Sequence, residues 1–110
     1  HYNKIVDKFK VGKYDWHSSE KMLAVGEQYE LGIFVSHNPK RNKGDGSCIF
    51  LHIWADANSS TAGCTAMNKQ NMEQIVNWLD STKKPFLVQL PNYVYEHYKV
   101  AWNLPGKQLK

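Results

Sequence analysis

The run Ser47-Cys48-Ile49-Phe50-Leu51-His52-Ile53-Trp54 leaves a folding chain little choice. It is dense in β-branched and aromatic residues, which reads as a strand at the centre of a sheet. Alternation along a strand puts Cys48, Phe50, His52 and Trp54 on one face and Ile49, Leu51 and Ile53 on the other. The second face carries no polar group and must be core. The run is far shorter than the roughly 20 apolar residues that span a bilayer, so no integral membrane segment is expected. With 110 residues, 42% of them hydrophobic and 22% charged, the chain is expected to form one domain, residues 1–110, with a real core.

Other segments follow from the same rules. Glu30 to Ser36 alternates around Leu31, Ile33 and Val35 and predicts a second strand, and Phe86 to Leu90, between Pro85 and Pro91, predicts a short buried one. From Lys69 to Ser81, Met72, Ile75, Val76 and Leu79 recur at helical spacing behind Asn68, a suitable N-cap. Tyr93 to Trp102 has the spacing of a closing helix, and Ser18 to Ala24 that of a short helix capped by a serine. The predicted class is mostly β with a few helices at the edges, an α+β chain.

Charge narrows the function less. The net charge of +4 favours anionic partners, but the basic residues are scattered except for Lys40, Arg41 and Lys43, which read as a solvated loop. The interleaving of aromatic and basic residues that marks nucleic-acid surfaces is missing, so no nucleic-acid partner is expected. The five histidines show no metal-ligand spacing with cysteines or carboxylates, and no metal or cofactor is expected. Asn58-Ser59-Ser60 forms a glycosylation triplet that a flexible loop explains equally well.

The chemistry concentrates at two residues. Twelve positions after His52, the loop of Asp56, Asn58, Ser59, Ser60 and Thr61 leads into Ala62-Gly63-Cys64-Thr65-Ala66-Met67, placing Cys64 at an expected loop-to-helix junction. A thiolate there is favoured by the positive end of the helix and by backbone N–H groups, and a nearby imidazole can take its proton. Gly63 would let main-chain N–H groups near Cys64 approach a substrate carbonyl as an oxyanion hole.

These residues resemble the YkuD-type L,D-transpeptidases. The resemblance rests on Gly44-x-Gly46-Ser47-x-Ile49-Phe50-Leu51-His52, then Thr61-Ala62-Gly63-Cys64-x-Ala66, then a helix ending in Trp78-Leu79, with Trp16, Ser19-x-x-Met22 and Tyr29 to Asn38 fitting upstream, and covers roughly residues 14–90. It implies a β-sandwich or sheet core with a helix after the catalytic cysteine. It also implies attack of Cys64 on the meso-diaminopimelate–D-alanine bond of peptidoglycan stem tetrapeptides, with His52 as base, Gly63 before the nucleophile and the Ile53 carbonyl orienting the imidazole. The acyl-enzyme would pass to an amine, or to water in L,D-carboxypeptidase trimming. A non-catalytic peptidoglycan- or protein-binding module of the same fold is the alternative.

Trp54, Thr61, Ala62 and Thr65 are the substrate-binding candidates, and carbapenem-type β-lactams the covalent inhibitors such a cysteine would accept. The implied compartment is the bacterial periplasm or envelope. Two positions depart from the family pattern: Ala62 stands where a second histidine is common, and Ala66 where an arginine is frequent. The family domain also has further strands upstream, so the chain is expected to be its C-terminal part, and any targeting segment to lie outside it.

Cys48 takes a plainer reading. Four strand residues at about 3.3 Å each separate it from His52 by about 13 Å. A Cys64 in reach of His52 would then lie beyond the roughly 7 Å that a disulfide permits, so Cys48 is expected to be a buried free thiol.

Overall fold

The computed structural model describes residues 1–106. Its elements are helix α1 (Met22–Val25), a 3-10 turn (Gly26–Tyr29), strands β1 (Gly32–Phe34), β2 (Phe50–Ile53) and β3 (Thr65–Met67), helix α2 (Lys69–Trp78), a second 3-10 turn (Ser81–Lys83) and helix α3 (Asn92–Tyr98). The architecture is a small α+β one. The described residues build one three-stranded sheet in the order β1-β2-β3, rather than the larger β framework expected from sequence.

Register explains what each face does. β1 runs antiparallel to β2 with Gly32 opposite His52, Ile33 opposite Leu51 and Phe34 opposite Phe50. β3 runs parallel to β2, with Leu51 beside Thr65, His52 beside Ala66 and Ile53 beside Met67. Because side chains alternate, Ile33, Leu51, Ile53, Thr65 and Met67 share one face, and Gly32, Phe34, Phe50, His52 and Ala66 share the other. On the first face Leu51 and Ile53 pack with Met72 of α2, and Leu31, Ile33, Val35 and Met67 close around them. On the second, aromatic rings cover the strand: Phe34 lies 5.6 Å and Tyr29 5.9 Å from Phe50, centroid to centroid. β2 is therefore buried on both sides, as a central strand should be.

Helix α2 forms where its periodicity predicts. The Asn68 side chain accepts a hydrogen bond from the Asn71 backbone N–H at 2.8 Å, satisfying one of the donors that a helix start leaves unpaired. Replacing Asn68 with alanine is expected to cost about 1 kcal/mol, read as a lower denaturant midpoint at unchanged slope.

Four local expectations are corrected. Phe86 to Leu90 is irregular rather than a buried strand, and Phe86 is 93% exposed. β propensity needs a neighbouring ladder, and Pro85 and Pro91 interrupt hydrogen bonding at both ends. Helix α1 begins at Met22 with Lys21 at its N-cap and no side-chain cap, since Ser18 and Ser19 lie too far upstream. Cys48 is not part of β2: its φ of 58° is left-handed, and the pairing with β1 ends at the Val35 N–H to Ile49 carbonyl bond of 3.0 Å. Asn3 holds this turn by accepting from the Cys48 N–H at 3.2 Å. Finally, β3 separates Cys64 from α2, so the expected junction of cysteine and helix is not formed.

Candidate active site

His52 is 6% exposed at the centre of the sheet. Its Nδ1 lies 2.8 Å from the carbonyl oxygen of Ile53. A carbonyl can only accept, so Nδ1 carries the proton of the neutral ring and Nε2 is left with the basic lone pair. The backbone of β2 thus fixes both the tautomer and the direction of the imidazole.

Cys64 stands one residue before β3, in line with Phe50, and alternation places it on the His52 face. One strand spacing across and two residues along put the Cα atoms of His52 and Cys64 about 8 Å apart, within reach of their side chains. The thiol is half-buried and its S–H donates to the Cys48 carbonyl at 3.2 Å. The left-handed turn at Cys48 thus brings its backbone to the Cys64 sulfur, where an extended strand would have carried it away. Both cysteines are free.

A side chain absent from the sequence candidates joins them. The Tyr29 ring, at the end of the first 3-10 turn, lies 4.9 Å from the His52 ring at a tilt of 33°. Burial first, then the charges of Glu20 and Cys64, a hydrogen bond with Cys64 and the charge of Cys48, push the Tyr29 phenol up to about 12. It remains an O–H donor throughout the neutral range. Gly32, opposite His52, lies against this ring: a Cβ there would meet Tyr29 Cδ1 at 3.9 Å, an ordinary contact distance. Nothing in the local pattern marks Tyr29, because its place depends on how the turn folds over β2.

The remaining candidates scatter around this centre. Gly63 has φ +143°, a conformation that side chains rarely adopt, which explains glycine before Cys64. Its N–H donates to Thr61 Oγ1 at 3.3 Å and is thus already engaged rather than offered to an oxyanion. Thr61 is exposed and its hydroxyl donates to the Cys64 carbonyl at 2.6 Å, bracing the loop, while Ala62 is exposed beside it. Thr65 lies on the opposite face, with Leu51, and its hydroxyl is paired with Gln89 at 2.7 and 3.0 Å. The alternation of β3 therefore separates it from Cys64. Trp54 is half-buried and, with Ile53 and Ala55, forms one wall of an open groove of about 520 Å³ whose other wall is Val25, Gly26, Glu27 and Gln28. This groove shares the 3-10 turn and the end of β2 with the site. Among the described residues, no cluster of three or more His, Cys, Asp or Glu is arranged to hold a metal ion.

A family model for the L,D-transpeptidase catalytic domain, YkuD, matches residues 2–100. The chain belongs to this family. No curated protein and no solved structure gives a significant match. The YkuD match extends beyond the stretch that carried the sequence resemblance, taking in the polar N-terminal segment and α3. Within this transpeptidase domain that N-terminal segment has a visible structural use: besides Cys48, Asn3 reaches the carbonyls of His37 and Asn38 at 2.8 and 3.0 Å. No helix among the described residues of the YkuD domain is long and apolar enough to cross a membrane.

Proposed function

We propose that the chain is a cysteine acyltransferase of peptidoglycan, acting at the meso-diaminopimelate–D-alanine bond of stem tetrapeptides. The observation that carries this reading is the 2.8 Å contact of His52 Nδ1 with the Ile53 carbonyl, which leaves Nε2 as the acceptor on the face that Cys64 shares. The YkuD match supplies the substrate class.

In this mechanism the Cys64 thiol leaves the Cys48 carbonyl by rotation about its side chain and gives its proton to His52 Nε2. The sulfur attacks the diaminopimelate carbonyl, and an S–C bond forms. The C–N bond to D-alanine then breaks, and the imidazolium returns the proton to the leaving amine. An amine of a second stem peptide, or a lipoprotein lysine, resolves the thioester by the reverse proton path and leaves a cross-link or an anchored protein. Water in that place gives the trimmed tripeptide. Trp54 and the groove beside it receive the peptide, and the net charge of +4 draws in its carboxylates. The site of action is the bacterial envelope, where the substrate is.

Incubation with tetrapeptide muropeptides is expected to release D-alanine and to give a cross-linked dimer; a tripeptide as sole product assigns the carboxypeptidase reaction instead. A carbapenem is expected to add its mass to the peptide containing Cys64. Absence of both D-alanine release and the adduct, with Cys64 titrating as a free thiol, sinks the reading in favour of a binding module.

A further inference from the structure

We propose that Tyr29 is the third side chain of this site, its ring seating the His52 imidazole and its hydroxyl donating to the Cys64 sulfur once that sulfur is ionised. The proposal rests on Cys64 being the nucleophile, and concerns how the thiolate is held.

The resting thiol is satisfied by donating to the Cys48 carbonyl at 3.2 Å. When the proton leaves, that contact sets a carbonyl oxygen against a thiolate, two electron-rich atoms with no hydrogen between them. A thiolate needs donors, and the loop N–H of Gly63 is engaged with Thr61 Oγ1. Two side-chain donors are at hand on this face. One is the imidazolium formed when His52 takes the proton. The other is the phenol of Tyr29, whose ring lies 4.9 Å from that of His52 and 5.9 Å from that of Phe50, the residue beside which Cys64 stands.

The surroundings keep this phenol a donor. The titratable groups that face it are Glu20 from the segment before α1, Cys48, Cys64 and, from β2, His52. Strand β1 contributes Gly32, which carries no charge and lies against the ring. Negative charge on Glu20 or on either sulfur disfavours tyrosinate, so the proton stays on the phenol oxygen while the cysteine ionises. The only proton transferred is that from Cys64 to His52; the Tyr29 hydrogen bond stabilises the resulting charge without being consumed.

The test follows the rate of Cys64 alkylation by iodoacetamide from pH 6 to 10, read by mass on the Cys64 peptide with the Cys48 peptide as internal reference. Tyr29→Phe keeps the ring and removes the donor. It is expected to slow alkylation of Cys64 about five- to tenfold at pH 7, with the gap closing towards pH 10. The Cys48 rate is expected to stay the same. Coincident wild-type and Tyr29→Phe profiles overturn the proposal, as does a change of equal size at every pH, which reports access rather than ionisation. The readout needs no peptidoglycan. A wild type that releases no D-alanine but shows the Tyr29→Phe effect removes the proposed function and leaves this role standing.

Discussion

Replacing Cys64 with alanine is expected to abolish release of D-alanine from stem tetrapeptides, and replacing His52 with alanine is expected to lower it by about 10²- to 10⁴-fold. The two losses share one cause. Without the imidazole the thiol has no base at Nε2, and its S–H stays on the Cys48 carbonyl, where no proton can leave. Without the sulfur the imidazole has nothing to deprotonate. Groups that act as a unit are strongly non-additive, so the double variant is expected to be no worse than Cys64→Ala alone. His52 is buried, and its removal leaves a space beneath Tyr29, so each variant needs its thermal midpoint beside its rate. A folded His52→Ala protein that keeps its rate within tenfold of wild type removes the histidine from the mechanism. A folded Cys64→Ala protein that still releases D-alanine removes the cysteine.

What the sequence reveals about this site, and what it hides, follows from the range of the interactions involved. β2 and α2 are legible because alternation and helical periodicity are local, and the neighbours only confirm what each segment already prefers. His52 and Cys64 are proposed together from an ordered motif, and it is the parallel register of β3, three residues that no pattern announces, that puts both on one face of the sheet. Cys48 misleads because it continues a run of strand-forming residues. Its left-handed backbone is set by Asn3, 45 positions away in sequence. Phe86 to Leu90 misleads in the opposite sense: the segment has strand composition but no strand to pair with. Tyr29 is hidden because its position over His52 is a property of packing between the 3-10 turn and β2.

Truncating Met72 to alanine is expected to destabilise the chain by about 2 to 5 kcal/mol. Met72 is the one fully buried large side chain among the described residues, at 0% exposure, and it joins α2 to Leu51 and Ile53 of β2. Its removal takes away the transfer energy of the side chain and leaves a cavity between helix and sheet. Few buried residues stand nearby to collapse into that space, which favours the upper part of the range. A domain of this length is stable by only about 5 to 15 kcal/mol, so the loss is a large share of the whole. At about 4 to 8 °C per kcal/mol the thermal midpoint should fall by at least about 8 °C. Met72→Leu, which nearly conserves volume, should cost less than about 1.5 kcal/mol. The effect should also reach the chemistry, because Leu51 and Ile53 flank His52 and the Ile53 carbonyl holds its ring. Loss of support under β2 should therefore broaden the His52 imidazole resonances below the melting transition in Met72→Ala and leave them sharp in Met72→Leu. A cost below about 1 kcal/mol, with sharp resonances in both variants, means that the helix does not support the strand that carries the base.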